Sequence, residues 1–378
     1  MKQTSLAIIC DLVEENWPSM NLVAEMLLKK LNARYSQEVR AVPIRPSMAW
    51  RFSFLLPKTR TLTNADRLVN RFWDYPRHLR SRLQEFDFFH VCDHSYAHLV
   101  HELPAGRAGV YCHDLDCFRC LLEPRSEPRP RWFRAMSRRI LQGMQKAAVV
   151  FCSTRITEQR IRQLDLIEPA RLVYAPYGIS PEFIPSTIYR SSDASYRPGN
   201  DPFILHVGSC IPRKRIDVLL DVFAEVRSRF QELQLVQVGG DWTRQQREQI
   251  RRLQISSAVH QYSGLDRETL ADLYRKARLV MQPSEAEGFG LPVIEALACG
   301  AIVVASDLPV LHEVGGDAVL YCLVGDIPHW AASIEKLLLN PSEAPDANNR
   351  LAQARRYSWD GHAETILQAY LSKRKAAA

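Results

Sequence analysis

The chain has 378 residues, 46% of them hydrophobic and 24% charged, which predicts a globular protein of two domains rather than one ordinary core. No apolar run approaches the ~18 residues of a membrane-spanning helix, and nine cysteines, odd in number and scattered through apolar segments, fit reduced buried thiols better than a disulfide framework. The net charge of +7 is lopsided, since residues 1–180 carry 27 Lys and Arg against 18 Asp and Glu while the remainder carries 22 against 24.

An anionic partner is therefore expected at the first half. With no zinc-finger spacing, RNP-like aromatic motif or basic heptad, nucleic acid is not the partner expected; an anionic membrane surface is. The apolar run 6–10 is too short for a signal-peptide core and meets Asp11 at once, so the expected location is cytoplasmic, with peripheral docking on the inner face of a membrane as an option.

In chain order, short apolar runs alternate with helical patterns. Run 6–10 is followed by a helix for which Ser19 is the expected cap, with Val23, Ala24, Leu27, Leu28 and Leu31 along one side. Residues 50–84 read as irregular and basic. Further strand-like runs lie at 86–91, 109–113, 149–153 and 172–175. In 131–146, Phe133, Met136, Ile140 and Met144 share one face and Arg131, Arg134 and Arg138 the opposite one. That pattern suits an ordinary core-packed helix, or one that docks on anionic membrane.

Residues 181–200, rich in Ser, Pro, Tyr and Arg, predict a linker. Beyond it come runs at 203–207, 233–238, 279–282, 302–306 and 318–322. A helix is expected over 216–230, and a last periodic stretch begins at Trp359. Runs apolar on both faces are buried parallel strands, and the segments between them are crossover helices. The expected fold class is α/β, with two Rossmann-like, doubly wound parallel-sheet domains. Their expected bounds are 1–180 and 201–358, joined by the linker 181–200 and followed by a closing helix and tail at 359–378.

The densest chemistry lies at residues 285–300, EAEGFGLPVIEALACG. Gly288-Phe289-Gly290 is a turn whose backbone can approach a ligand, and Leu291-Pro292 opens a helix whose N-terminus suits a phosphate. Glu287 on the rim and Glu295, expected in the first helical turn, cannot hold phosphate and are better placed for sugar or ribose hydroxyls. This is the pattern of a nucleotide-sugar site. Upstream, Val207-Gly208-Ser209 runs from a strand into Pro212-Arg213-Lys214-Arg215, cations placed for a diphosphate. In the first half, Asp93 and His94 follow the carboxyl end of a strand, where α/β sheets bind ligands, and are acceptor-side candidates. The pair Cys117 and Cys120, and the histidines 90, 94, 98 and 101, lack the second pair of a zinc site, so no metal is expected.

Glu287-Gly288-Phe289-Gly290-Leu291-Pro292, with Glu295 completing a Glu-x7-Glu spacing, resembles the donor site of retaining GT-B glycosyltransferases of the family-4 type, the glycosyl transferases group 1. The similarity continues through Ala296, Gly300 and run 302–306. Val207-Gly208-Ser209 with Arg213-Lys214 looks like the family's diphosphate loop, and Ala175-Pro176-Tyr177-Gly178 like its interdomain turn. His113-Asp114 looks like its active-site His-Asp.

The resemblance implies two domains facing a central cleft, the nucleotide sugar held by the C-terminal one and the acceptor by the N-terminal one. Donor contacts would come from Gly208, Ser209, Arg213, Lys214, Glu287, Gly288, Phe289, Gly290, Leu291 and Glu295. Arg213 and Lys214 would neutralise the leaving diphosphate, Glu295 would hold ribose, and Glu287 the sugar. His113 would join Glu287, Arg213 and Lys214 as catalytic, and Asp93, His94, Asp114 and Asn16 would face the acceptor. Also implied are hexosyl transfer with retention, the leaving phosphate oxygen taking the acceptor proton so that Glu287 need not be a base, and no metal or other cofactor. The implied acceptor is a cell-surface glycan, glycolipid or lipid-linked intermediate.

Three positions depart from the pattern. The loop 11–21 has no glycine, the family's Gly-Arg is Gly208-Ser209, and the interdomain turn is Pro176-Tyr177-Gly178. A nucleotide-sugar epimerase is a rival that the Glu-x7-Glu block argues against, and a non-catalytic nucleotide-sugar-binding subunit would suit the missing glycines. No Gly-x-Gly-x-x-Gly follows any strand, against an NAD oxidoreductase.

Overall fold

Strands of this computed structural model, whose described residues are 3–15, 17–52, 60–185 and 201–377, pair into two six-stranded sheets, every pairing parallel. The first contains β1 (Thr4–Ile9), β2 (Val39–Ile44), β3 (Phe88–Val91), β4 (Ala108–Cys112), β5 (Val149–Cys152) and β6 (Leu172–Tyr174), in the order β2-β1-β3-β4-β5-β6. The second contains β7 (Phe203–Gly208), β8 (Gln234–Gly239), β9 (Val259–Tyr262), β10 (Leu279–Gln282), β11 (Val303–Ser306) and β12 (Leu320–Cys322), in the order β12-β11-β10-β7-β8-β9.

The inner strands are buried on both faces, β3, β4 and β5 throughout, as the apolar runs predict. Two strands escape the sequence pattern, β2 and β9. Both are sheet edges, where half the surface is free to be polar. Strand β2 alternates buried and exposed positions and tolerates Pro43, since an edge strand can spare a ladder donor.

The chain divides into two units, Met1–Gly178 with Trp359–Ala378, and Ile179–Ser358. The helix Trp359–Ala377 thus belongs to the first unit. Its Tyr370 hydroxyl meets Nδ1 of His90 at 3.0 Å and donates to the Phe89 carbonyl, while Asp360 pairs with Lys30 and Arg34. Gly109 on β4 makes room for it, because a Cβ there would collide with the Tyr370 hydroxyl.

Two local expectations need correction. Segment 50–84 is largely helical where described, with helices Arg60–Val69 and Tyr75–Arg80 joined by a π-helical turn, Asn70–Asp74. Arg67, Arg71, Arg77 and Arg80 are helical, while Arg51 and Arg82 lie outside the helices. Asp66 Oδ1 accepts the Arg51 and Phe52 N–H groups, and the Asn70 amide exchanges hydrogen bonds with the Ala49 backbone. The helix after β1 runs Pro18–Arg34 with Trp17 at the cap position, so Ser19 is not the cap; Pro18 is the start signal, its missing donor costing nothing there.

Parallel strands place all their carboxyl ends on one edge, and strand order reverses between β1 and β3 in the first sheet and between β7 and β10 in the second. Loops leaving adjacent strands in opposite directions open a crevice at such a point.

Candidate active site

In the second unit, the loops after β7 and β10 meet at the switch point. The Glu285 N–H donates to the Arg213 carbonyl at 2.9 Å, and Arg213 Nη1 donates to the Ala286 carbonyl at 3.0 Å. Lys214 Nζ lies 2.5 Å from Glu287 Oε1, Arg213 Nη1 lies 3.5 Å from Oε2, and Ser284 Oγ donates to Oε1 at 2.7 Å. Both partners are buried, with side-chain exposures of 9% for Lys214 and 8% for Glu287. Burial alone would raise the Glu287 pKa; Lys214, Arg213 and Ser284 outweigh it and hold the carboxyl below its ordinary value.

Gly208 closes β7, its carbonyl accepting from the Gln237 amide at 2.8 Å, and Ser209 beside it is exposed. Gly290 takes φ +100°, the left-handed conformation glycine tolerates, at the start of the helix Leu291–Ala298 with Pro292 in its first turn. The Phe289 ring is buried against Tyr357, ring centres 5.6 Å apart and nearly perpendicular, and so fixes the Gly288–Gly290 turn from below. Glu295 is the fifth helical residue, just past the first turn in which the sequence placed it. Its Oε2 accepts from the Tyr274 hydroxyl at 3.1 Å. Burial pushes its pKa up to about 7, against the Tyr274 bond and the Arg267 charge.

In the first unit, Asp11, Asp93 and His113 follow the ends of β1, β3 and β4. Both ring nitrogens of His113 are engaged. Nε2 lies 2.8 Å from the Cys92 carbonyl, so it carries the proton, and Nδ1 accepts from the Tyr177 hydroxyl. Burial lowers the His113 pKa to about 4, so the ring is neutral. His94 Nδ1 accepts the His113 N–H at 3.3 Å, and its Nε2 lies 3.6 Å from Asp114 Oδ1.

Asp93 caps the 3-10 segment His94–Glu102 through the Ser95 N–H at 2.7 Å and hydroxyl at 2.8 Å. Burial opposes its ionisation, but His94, His113 and that N–H bring its pKa to about 2. Asp11, which the sequence reading passed over, is 4% exposed, and burial with the Asp93 charge raises its pKa well above the carboxylate range. The signal for it was its place, two residues past β1 at the switch point.

Side chains fix the glycine-free loop. Glu15 Oε2 accepts from the Tyr96 hydroxyl at 2.9 Å, Oε1 faces Arg67 Nε at 3.2 Å, and Glu14 Oε1 accepts the Met48 N–H at 3.0 Å. Asn16 lies outside the described residues.

Among the described residues, Asp93, His94 and His113 are the one group of potential metal donors lying within 4.8 Å of one another. The two bonds to His113 leave its ring no lone pair for an ion. Cys117 and Cys120 belong to no such group among the described residues; Cys120 Sγ instead donates to Ser137 Oγ.

The helix Arg131–Lys146 buries Ser137, Ile140, Gly143 and Met144 and exposes Arg131, Arg138 and Arg139. Arg134 is half-buried, not part of the open face, and Trp132, 61% exposed, stands among the arginines. No helix of the described residues is long and apolar enough to cross a membrane.

The chain is similar to known proteins. The family model for glycosyl transferases group 1 matches residues 190–356. The chain is 30% identical to the O-antigen chain mannosyltransferase B of Escherichia coli over 281 residues, 72% of each chain. It is 32% identical to a D-inositol 3-phosphate glycosyltransferase of Rhodococcus erythropolis over 234 residues, 56% of this chain and 52% of that one; the match spans about half of that relative. Among solved structures, a sucrose-phosphate synthase from Thermosynechococcus elongatus superposes with a TM-score of 0.76 at 18% identity, covering 100% of both chains. The Anabaena protein HepE in complex with UDP-glucose gives 0.73 at 15% identity, covering 98% of this chain and 100% of that one.

Proposed function

This chain belongs to the glycosyl transferases group 1, with the GT-B fold, and from that premise we propose that it moves a sugar from a nucleoside diphosphate sugar to a hydroxyl acceptor with retention of configuration. The observation that carries the reading is the buried Lys214–Glu287 pair, with Arg213 beside it, at the mouth of the Leu291–Ala298 helix. A cation for phosphate and an anion for sugar hydroxyls sit side by side there, as a sugar diphosphate requires.

Lys214 and Arg213 take the diphosphate. They supply, with the helix N-terminus, the charge neutralisation that a divalent ion gives elsewhere, so no metal is needed. Glu287 accepts hydrogen bonds from hydroxyls of the sugar, and Glu295, ionised on binding, accepts them from the ribose. The bond from the anomeric carbon to the phosphate oxygen breaks, and the acceptor oxygen bonds to the same face of that carbon. The acceptor proton passes to the leaving phosphate oxygen, so no side chain need act as base. The growing charge on the diphosphate falls on Lys214 and Arg213.

The acceptor is a cell-surface glycan, glycolipid or lipid-linked intermediate held by the first unit, with Asp93, His94 and Asp114 on its side. The mannosyltransferase and inositol-phosphate relatives support a hydroxyl-rich acceptor. The exposed Trp132 among Arg131, Arg138 and Arg139 supports reversible docking of a cytoplasmic protein on anionic membrane. Mass-spectrometric detection of nucleoside diphosphate release across UDP-, GDP- and ADP-sugars tests the reading. Slow hydrolysis of one donor class is expected; tight binding with no turnover, even with acceptor extracts, would leave a non-catalytic binding subunit.

A further inference from the structure

His206 lies in the middle of an otherwise apolar strand, β7, two residues before Gly208 and on the same face. Its ring is completely buried, and neither nitrogen has a hydrogen-bond partner among the described residues. In register beside it on β8 and β9 stand Gln237 and Gln261, and both glutamines are bonded. Gln237 Nε2 donates to the Gly208 carbonyl at 2.8 Å, and Gln261 Nε2 donates to Gln237 Oε1 at 3.1 Å and the Gly240 carbonyl at 2.7 Å. The imidazole in this polar row satisfies nothing in the fold.

Its surroundings say what it serves. A Cβ built on Gly208 would meet His206 Cε1 at 3.3 Å, Lys214 Cε at 3.6 Å and His206 Nε2 at 3.7 Å. The nitrogen-bearing edge of the ring and the end of the lysine stem therefore pack around one point at the glycine of the diphosphate loop. Burial, then the Lys214 charge, lowers the His206 pKa to about 3. The ring stays neutral at any ordinary pH and keeps one lone pair in either tautomer.

We propose that His206 is a positioning residue of the donor site, the second seat for the Lys214 ammonium when the donor's sugar hydroxyls draw on Glu287. The inference rests on the donor-site reading above. Lys214 has three N–H donors, and Glu287 takes one of them at 2.5 Å. Once hydroxyls share that carboxylate, its hold on the lysine weakens, and a flexible four-carbon stem would lose its aim at the diphosphate. A neutral acceptor on the protein side restores the aim without cancelling the charge, which a second carboxylate would do. A purely space-filling role is a poor account, since a leucine fills a strand interior without burying unmet polar atoms.

The test compares His206→Leu and His206→Gln with Glu295→Ala, measuring thermal stability, nucleoside diphosphate affinity by calorimetry, and donor KM and kcat with the sugar nucleotide that the hydrolysis panel selects. His206→Leu is expected to be at least as stable as the parent yet to raise donor KM about five- to tenfold, and His206→Gln, which keeps an acceptor, to recover most of that. If both His206 variants match the parent in donor affinity and KM while Glu295→Ala loses nucleotide affinity, the role of His206 is overturned and the donor site stands. If Glu295→Ala also binds normally, the donor-site reading falls and takes this inference with it.

Discussion

The ammonium of Lys214 lies 2.5 Å from Oε1 of Glu287, both groups buried and neither exposed to compete with water. A buried pair of this kind adds little stability, because desolvation consumes most of the attraction. Its value is positional. On the proposed reading, two groups with different tasks, one for phosphate and one for hydroxyls, are set beside each other in a buried pair before any donor arrives.

Glu295 makes nucleotide binding depend on pH. Its pKa of about 7 leaves it part protonated at neutrality, whereas two ribose hydroxyls are held best by a carboxylate. Nucleoside diphosphate affinity should therefore rise from pH 6 to pH 8, by up to about tenfold per unit below pH 7. Close to half a proton should be released per binding event at pH 7, read by calorimetry in buffers of different ionisation enthalpy. Glu295→Gln should bind about 1–3 kcal/mol more weakly and lose the dependence. A pH-independent affinity in the parent would refute the assignment.

Tyr177 should matter through His113. Its hydroxyl donates to His113 Nδ1 and fixes the neutral Nε2–H form. Tyr177→Phe leaves a buried acceptor unmet and should cost about 1–3 kcal/mol of stability in urea titrations. Nitrogen-15 NMR should find the Nε2–H tautomer in the parent; the Nδ1–H tautomer would contradict the bond.

Acid should unfold the first unit early. Burial depresses the pKa of His90 and His98 to about 3 and of His113 and His362 to about 4. Each is neutral when folded and takes a proton near pH 6.5 when unfolded. The stability so contributed is complete above pH 6.5 and is lost as pH falls toward 4, at about 1.4 kcal/mol per pH unit per histidine. Denaturation curves from pH 7 to 5 should show a steep fall with proton uptake; a flat profile would count against four buried neutral rings.

Membrane docking should follow the open face of the Arg131–Lys146 helix. Arg131→Glu with Arg138→Glu should weaken binding to phosphatidylserine-containing vesicles by about 1 kcal/mol or more per residue, and Trp132→Ala should weaken it further. Vesicles of phosphatidylcholine alone should bind neither form well. Unchanged affinity for anionic vesicles would make this an ordinary solvated face.

How much was legible follows from what each residue does. The second unit announced itself because Gly290 takes a left-handed turn and Pro292 opens a helix, and because Gly208, Glu287 and Glu295 stand at the spacing of a known donor site. Strands β2 and β9 were hidden because an edge strand need not be apolar. The helices of 60–80 were hidden because Asp66 and Asn70, polar residues buried inside the unit, tie down their first part, and the apolar stripe of Phe72, Tyr75 and Leu79 that packs in the core is only two turns long. Asp11, Tyr177 and His206 needed coordinates, since their partners lie elsewhere in the chain. His206 left one trace, a titratable side chain inside an apolar strand just before the phosphate-loop glycine.

The most direct test follows nucleoside diphosphate release from the best donor, with a chelator present, by the parent, Lys214→Met and Glu287→Gln. The parent should turn over undiminished by the chelator. Lys214→Met should lose at least a hundredfold, the scale of removing one charge-stabilising group from a transition state. Glu287→Gln should lose turnover while its affinity for the sugar-free nucleoside diphosphate stays within about twofold, because on the proposed reading Glu287 meets the donor only at its sugar hydroxyls and the amide oxygen of Gln still accepts from Lys214. Turnover in Lys214→Met equal to the parent's, or a parent silenced by the chelator, would contradict the account.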